Sequence, residues 1–213
     1  MIKLIALITM VIDHIGLVLY PEVAVFRVIG RISMPLFAFC IAKGFFYSQK
    51  NNTVIKYMKN LLILAIISQI PYSFINRGMN IVTTWLIAVI VLAIQEVYKD
   101  NFIKKIIMIT LFLILSILLN VDYNICGVLL PFIYYNFWIK KERKGILCLF
   151  FILLNIYYII AKDGWLIQIF SCLSLPILFN FEKYEKIIKL PKKFYYIFYP
   201  THLIAFLVIK VLI

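Results

Sequence analysis

The sequence predicts an all-α protein, built as a polytopic bundle of about nine transmembrane helices. Of its 213 residues, 65% are hydrophobic and only 15% are charged, and the mean hydropathy is +1.02. A soluble globule has too little polar surface to cover so many apolar side chains. Apolar runs of about the length needed to cross a bilayer recur along the chain between short polar breaks. Composition and spacing together indicate an integral membrane protein.

Nine apolar runs are the predicted spans. The first has no small-residue cleavage site, so we expect a retained helix rather than a signal peptide. The fifth and sixth are short, and one of them is a candidate re-entrant segment. No linker, low-complexity tract or clear internal repeat separates the runs, so we predict a single domain over residues 1–213. The predicted spans are 4–20, 28–47, 60–75, 81–97, 106–119, 125–138, 145–160, 165–179 and 194–212.

The basic residues favour one orientation of these spans. Sixteen of the 22 Lys and Arg residues lie in breaks on one side of the predicted bundle, including segments 140–144 and 183–193. Because cytoplasmic loops retain Lys and Arg, the bias predicts a multi-pass protein of the cell membrane with a cytoplasmic N-terminus and an outer C-terminus. Topology explains most of the +13 net charge, so we expect the lipid bilayer as a partner and no nucleic acid.

The four cysteines stand singly in apolar runs, at positions 40, 126, 148 and 172. Without paired spacing they are typical of small buried hydrophobic side chains, and we expect neither a disulfide nor a metal site. Cys126, in the sixth span, is the candidate nucleophile for any reaction that passes through an acyl-enzyme.

An ionisable pair, Asp13 and His14, interrupts the first apolar run. Burying a carboxylate at bilayer depth costs on the order of 3 kcal/mol, and such a residue is by default a candidate functional site. Neighbours on a helix point about 100° apart, so each side chain is expected to find its partner on another helix. Arg27 and Arg31, one turn apart at the start of the second span, are the nearest cationic candidates.

Other polar side chains are predicted in the same outer half of the bundle. On the ninth span, Tyr195, Tyr199, His202 and Phe206 form one stripe at helical spacing. Because these positions converge at one depth, we predict a binding site for substrate or cofactor there. Its candidate residues are Arg27, Gln69, Tyr72, Asp122, Tyr199 and His202.

At these residues the chain resembles the TraX family, membrane proteins associated with N-acetylation of conjugative pilin. The resemblance rests on LIALITMVIDHIG at 4–16, FRVIGRISMPLFAFCIAKGFFYS at 26–48, ISQIPYSF at 67–74 and FYPTHL at 198–203. These segments occur in order from the first span to the last. The chain is also similar to the wider group of transmembrane acyltransferases, which use cytoplasmic acyl-CoA to modify acceptors at the outer face.

The resemblance implies an acetyltransferase with acetyl-CoA as donor and without a metal. In the wider group a first-helix histidine is catalytic, which assigns the general base to His14. Asp13 would then organise the site, and Arg31 or Arg27 would stabilise the oxyanion or bind the acceptor. The expected acceptor is the amino group of a secreted or pilin-like peptide, alternatively a hydroxyl of a cell-surface glycan or lipid. Segments 140–144 and 183–193 are candidates for docking the CoA nucleotide.

Two other classes of function remain open from the residues alone. Asp13, His14 and His202 are also the groups that a proton-coupled transporter or flippase would use as a relay. A structural assembly factor for a surface appendage would need none of them for chemistry. In that case the histidines would serve as interhelical hydrogen-bonding groups, and the arginines would reach to lipid headgroups.

Overall fold

The computed structural model describes residues 1–141, 143–161, 166–181 and 192–212. Within these ranges the regular structure is helical and no strand forms, which confirms the predicted all-α class. Three of the helical segments described are long and apolar enough to cross a membrane: Ala24–Lys50, Val54–Ser73 and Lys144–Ala161. The orientation of the termini stays a prediction. The predicted start of the eighth span at Trp165, and most of the basic segment 183–193, lie outside the described residues.

Each predicted span corresponds to one helix or to two consecutive helical segments. The fourth matches its helix residue for residue, and the others differ by a few residues at their ends. In chain order the helices are α1 (Ile2–Val18), α2 (Ala24–Gly30), α3 (Ser33–Lys50), α4 (Val54–Ser73), α5 (Ile81–Val97), α6 (Phe102–Leu118), α7 (Asn124–Ile133), α8 (Lys144–Ala161), α9 (Ser174–Phe181) and α10 (Lys192–Leu212). A π-helical turn, Tyr134–Ile139, follows α7, and a 3₁₀-helix, Leu166–Leu173, precedes α9.

Prolines explain two of the places where an apolar run is not one continuous α-helix. Pro35 is the third residue of α3, and in an uninterrupted helix its ring would meet the carbonyl of Arg31. The chain instead turns at residues 31–32 and begins α3 at Ser33. Pro176 is likewise the third residue of α9, so the α-helix begins at Ser174 and the residues before it wind as a 3₁₀-helix. Hydropathy is continuous across both breaks, so it does not reveal them.

The chain forms two compact units. The first unit contains Met1–Cys40 and Cys148–Ile213, and the second unit contains Ile41–Leu147. The prediction of a single domain stays a prediction.

In the first unit, α1 and α2 form an antiparallel hairpin. Gly16 lets the helices approach closely, because a Cβ at this position would overlap the side chain of Phe26. The Ser33 hydroxyl donates to the Ala6 carbonyl oxygen at 3.0 Å and ties the following helix to α1. The result is that Arg27 of α2 faces Asp13 in the second half of α1.

Helix α10 runs parallel to α1 in the same unit. The Lys3 Nζ atom lies 5.1 Å from the centre of the Tyr195 ring, and one ring nitrogen of His14 lies 2.9 Å from one of His202. From the first contact to the second, the residue number rises along both helices, so the helices run in the same direction. The first and ninth predicted spans cross the membrane in the same direction, so any packing between them is parallel. The predicted stripe on the ninth span faces α1.

The second unit is organised around α5, which packs against α4, α6 and α7. Its apolar core contains Ile87, Ala88 and Val91 of α5 together with Val121 and Val128. The turn between α4 and α5 is held by Asn80, whose Oδ1 accepts from the amides of Val82 and Thr83. The Asn80 Nδ2 group donates to the Ala65 carbonyl oxygen at 2.8 Å, so one buried side chain caps α5 and joins it to α4.

Replacing Asn80 by Ala should destabilise the protein by about 2 kcal/mol or more. The change removes the helix cap, worth about 1 kcal/mol, and leaves the buried Ala65 carbonyl without its side-chain donor. The measurement is thermal unfolding of the protein in lipid nanodiscs.

Asn101→Ala is the matched control, because Asn101 is an exposed N-cap that accepts from a single amide, that of Lys104. Its loss should be smaller, about 0.5–1 kcal/mol. Equal losses in the two variants would contradict the role of Asn80 in joining α4 to α5.

Candidate functional site

An ion triad formed by Asp13, Arg27 and Arg31 joins α1 to α2. The Arg31 Nη2 atom lies 2.8 Å from Asp13 Oδ1 and 3.1 Å from Oδ2, and the Arg27 Nη1 atom lies 2.9 Å from Oδ2. Arg27 Nη1 also donates to the Asp13 backbone oxygen at 3.2 Å, and Arg31 Nε donates to the Arg27 carbonyl oxygen at 3.3 Å. The predicted pairing of Asp13 with the two arginines is confirmed.

The triad lies mostly away from solvent. The side chains of Asp13 and Arg27 are 16% and 15% exposed, and that of Arg31 is 4% exposed. Two guanidinium groups and one carboxylate sum to one positive charge. Removing Asp13 from this buried cluster would leave two uncompensated guanidinium charges, at a cost of about 3–5 kcal/mol. The triad is therefore both a fastening between two helices and a local source of positive potential.

Gly30 makes room for the triad. An added Cβ at Gly30 would overlap the Cβ, Cγ and Oδ1 atoms of Asp13. The carboxylate therefore packs directly against the α2 backbone at the end of that helix. This close approach lets the guanidinium groups of residues 27 and 31 both reach Asp13.

His14, the neighbour of Asp13, pairs with His202 of α10. The His14 Nδ1 and His202 Nε2 atoms are 2.9 Å apart, and the ring centres are 4.9 Å apart with planes inclined by 25°. The other nitrogen of His202, Nδ1, lies 3.0 Å from the Phe198 carbonyl oxygen. His14 and Asp13 thus have partners on different helices, as their spacing on α1 predicts.

These contacts decide where the protons lie when both rings are neutral. A carbonyl oxygen only accepts hydrogen bonds, so the His202 Nδ1 atom carries its proton and donates to Phe198. The His202 Nε2 atom is then an acceptor, and the His14 Nδ1 atom must donate to it. The His14 Nε2 atom is left with its lone pair, and it has no hydrogen-bond partner within the described part of the chain. A general base requires this state.

Aromatic rings hold the two imidazoles in place. Phe198 stacks on His202 at a ring distance of 5.4 Å, and Tyr199 lies 5.2 Å from the same ring. Phe206 presents its edge to both imidazoles, at 5.9 Å from His14 and 6.2 Å from His202. Packing of this kind fixes ring orientation, which the transfer of a proton between positioned atoms requires.

The structure distributes the predicted site residues between the two units. Tyr199 and His202 lie in the first unit with the triad and His14. Gln69, Tyr72 and Asp122 belong to the second unit. No group of three or more His, Cys, Asp or Glu side chains is arranged to hold a metal within the ranges that the structure describes.

In the second unit these residues support local structure. The Gln69 amide donates to the Gly78 carbonyl oxygen and accepts from Asn80, and the Tyr72 hydroxyl accepts from Asn76 at 3.1 Å. The Asp122 backbone oxygen accepts from the Thr84 hydroxyl at 2.8 Å. Their roles in binding substrate or cofactor stay predictions.

The sequence did not predict the direct contact between the two histidines. It indicated the arginines as partners for both Asp13 and His14. The signal was present, because His202 lies on the polar stripe of the last span and the chain contains only two histidines. Helical periodicity shows which residues share a face but not which face of another helix they meet.

Gly30→Ala should destabilise the protein by at least about 3 kcal/mol. The new methyl group would displace the Asp13 carboxylate and break a buried ion cluster. Thermal unfolding in nanodiscs measures the loss. Gly145→Ala is the control, because nothing lies within 4 Å of a Cβ at Gly145 and Ala is favoured over Gly in a helix. A Gly30 variant as stable as the Gly145 variant would contradict the close packing of Asp13 against Gly30.

Comparison with known proteins places the chain in a family. The chain is 25% identical over 240 residues to the probable fimbrial assembly protein FimC, serogroup H1, of Dichelobacter nodosus, covering 95% of this chain and 91% of that protein. It is 47% identical over 55 residues to the uncharacterized protein RP591 of Rickettsia prowazekii (strain Madrid E), covering 26% of this chain but only 22% of that protein. No solved structure matches it. The TraX protein family model matches residues 1–210, so the chain belongs to the TraX family.

Proposed function

We propose that this protein is a multi-pass acetyltransferase of the cell membrane, which moves an acetyl group from acetyl-CoA to the amino group of a secreted or pilin-like peptide at the outer face. The observation on which the proposal rests is the His14–His202 pair, which leaves His14 Nε2 as a proton acceptor beside a positively charged triad. Membership of the TraX family and the likeness to a probable fimbrial assembly protein support a pilin-like acceptor.

His14 acts as the general base in this reaction. The acceptor nitrogen attacks the thioester carbonyl carbon, and its proton passes to His14 Nε2 as the new C–N bond forms. The tetrahedral intermediate collapses with cleavage of the C–S bond. The leaving CoA thiolate then takes the proton from His14, which returns the base to its starting state. No acyl-enzyme is required on this route.

His202 positions His14 and accepts a hydrogen bond from it. The hydrogen bond from His14 Nδ1 to His202 Nε2 orients the imidazole and becomes stronger when His14 is positively charged. The Phe198 carbonyl fixes the tautomer of His202 from the other side. In other catalytic histidines, too, an acceptor at the second ring nitrogen holds the imidazole in the tautomer that acts as a base.

The triad supplies the positive potential that an oxyanion requires. Asp13 and His14 are consecutive residues, so their Cα atoms are about 3.8 Å apart. The ion triad and the histidine pair are therefore neighbours on α1. Asp13 neutralises one of the two guanidinium charges, and the remaining positive charge is fixed before the reaction begins. Preorganised charge of this kind stabilises a developing oxyanion most strongly where water is excluded.

His14→Ala should lower acetylation of an acceptor peptide at least about 100-fold, because general-base catalysis contributes that much or more. Mass spectrometry of a synthetic peptide with a free amino terminus, incubated with acetyl-CoA and the protein in nanodiscs, gives the rate. Thr201→Ala is the control, since the Thr201 hydroxyl is exposed and donates to its own helix. Undiminished acetylation by the His14 variant would remove it from the mechanism.

Variants of His202 test the positioning role separately. His202→Phe keeps an aromatic ring in the cluster but removes the acceptor for His14 Nδ1, and we expect about a tenfold or greater loss of rate. His202→Gln offers a carbonyl oxygen instead and should recover part of that loss. Equal rates for the parent protein and the two variants would contradict the role.

The triad weighs against the alternative of a proton relay through Asp13. Both carboxylate oxygens are already engaged by guanidinium groups, so neither oxygen is open to pass a proton from one group to the next. Proton flux into liposomes that contain the protein, measured without acetyl-CoA, distinguishes the two functions. Coupled flux without any binding of CoA would favour the transporter.

A further inference from the structure

A row of buried polar side chains begins on the 3₁₀-helix before α9 and ends at the first residue of α9. Gln168, Ser171 and Ser174 follow one another at intervals of three residues in a segment that is otherwise mostly apolar. Residues three apart in a 3₁₀-helix eclipse one another, whereas in an α-helix each would be turned by about 60° from the last. The 3₁₀ winding therefore gathers the three side chains on one face. The helix is eight residues long, and lengths above about four are uncommon.

All three side chains are buried, but they differ in their hydrogen bonds within the described part of the chain. Ser171 donates to Asn155 Oδ1 at 2.7 Å, and Asn155 donates in turn to the Phe151 carbonyl oxygen. Gln168 is 6% exposed and Ser174 is 0% exposed, yet Gln168 Oε1 and Ser174 Oγ have no hydrogen-bond partner among the residues that the structure describes. Two buried polar atoms without partners thus flank a satisfied one.

Packing stability does not explain these two groups. A buried polar atom that lacks a hydrogen bond costs about 1–3 kcal/mol, and the same volume filled by an apolar group avoids the cost. Ser171, on the same face, has a hydrogen-bond partner in Asn155, so a polar side chain can be paired there. A buried polar atom without a partner requires an explanation, and a bound ligand that completes its hydrogen bonds is one.

The polar row lies in the first unit, together with His14 and the triad. The 3₁₀-helix packs against α2, the helix that includes Arg27, and α9 packs against α1. Along the axis, Gln168 and Ser174 are about 12 Å apart, since a 3₁₀-helix rises about 2 Å per residue. A compact group is too short to contact both atoms, whereas an extended chain is long enough.

We propose that Gln168 and Ser174 form a binding subsite for an extended chain that contains secondary amides. The Gln168 carbonyl oxygen accepts from an amide N–H, and the Ser174 hydroxyl donates to an amide oxygen or accepts from an N–H. This proposal rests on the function proposed above, in which two such chains enter the first unit. They are the pantetheine arm of CoA, which contains two amides, and the backbone of the peptide acceptor.

The variants Gln168→Leu and Ser174→Ala test the subsite, with Ser171→Ala as the matched control on the same face. Affinities of the full-length protein in nanodiscs are measured for CoA, pantetheine, adenosine 3′,5′-bisphosphate and tetraalanine. Thermal unfolding is measured without ligand. Both test variants should weaken an amide-containing probe about three- to tenfold, the worth of one hydrogen bond, and leave the bisphosphate unchanged.

The unfolding data separate binding from structure. Without ligand, the two test variants should be as stable as the parent or more stable, since each loses an unsatisfied polar atom. Ser171→Ala should be less stable, because Asn155 Oδ1 loses its donor. Weaker binding combined with unchanged or greater stability is a result that a purely structural role would not produce.

The probes identify the chain that binds. Weaker binding of CoA and pantetheine assigns the subsite to the donor, and weaker binding of tetraalanine assigns it to the acceptor. Unchanged affinities in both variants, with CoA still bound by the parent protein, overturn the subsite alone. A parent protein that binds neither CoA nor tetraalanine overturns the proposed function and the subsite together. Binding of tetraalanine without CoA, weakened in the variants, keeps the subsite and removes acetyl-CoA as the donor.

Discussion

A carboxylate held between two guanidinium groups is the constraint on which the site depends. Asp13 lies in a mostly apolar helix, where an unpaired charge would cost more than helix packing alone repays. Arg27 and Arg31 meet it only because α2 runs back along α1 and Gly30 has no side chain in the way. This fastening fixes the rotation of α1 about its axis. It thereby directs the neighbouring His14 to a different side of the helix.

The rotation of α1 presents His14 to α10, and the second half of the site follows from that packing. The parallel approach of α10 brings His202 within 2.9 Å of His14, while the Phe198 carbonyl decides which nitrogen of His202 holds the proton. The charged Asp13 and the base His14 thus lie on different faces of α1. Each is supported by its own partner helix, and neither needs the other as a hydrogen-bond partner.

Prolines near the start of two helices shape the surroundings of this site. The sequences Ser33-Met34-Pro35 and Ser174-Leu175-Pro176 both begin an α-helix, because Pro is accepted in a first turn and resisted farther along. Before the first, the chain turns just beyond Gly30 and the triad. Before the second, it winds as a 3₁₀-helix and gathers polar side chains on one face. Local backbone chemistry thereby places polar groups that a regular helix would scatter.

Composition, hydropathy and helical spacing by themselves determined the all-α class, the approximate position of each helix and the pairing of Asp13 with two arginines. These are properties of neighbouring residues and of the high cost of an unpaired charge. Only the tertiary structure decided that His14 meets His202, 188 residues away, and that Gln69 serves the turn after α4. The 3₁₀ winding that aligns Gln168 with Ser174 was also decided there. Such contacts depend on which helix faces meet, and many pairings of apolar faces bury similar area, so hydropathy does not distinguish among them.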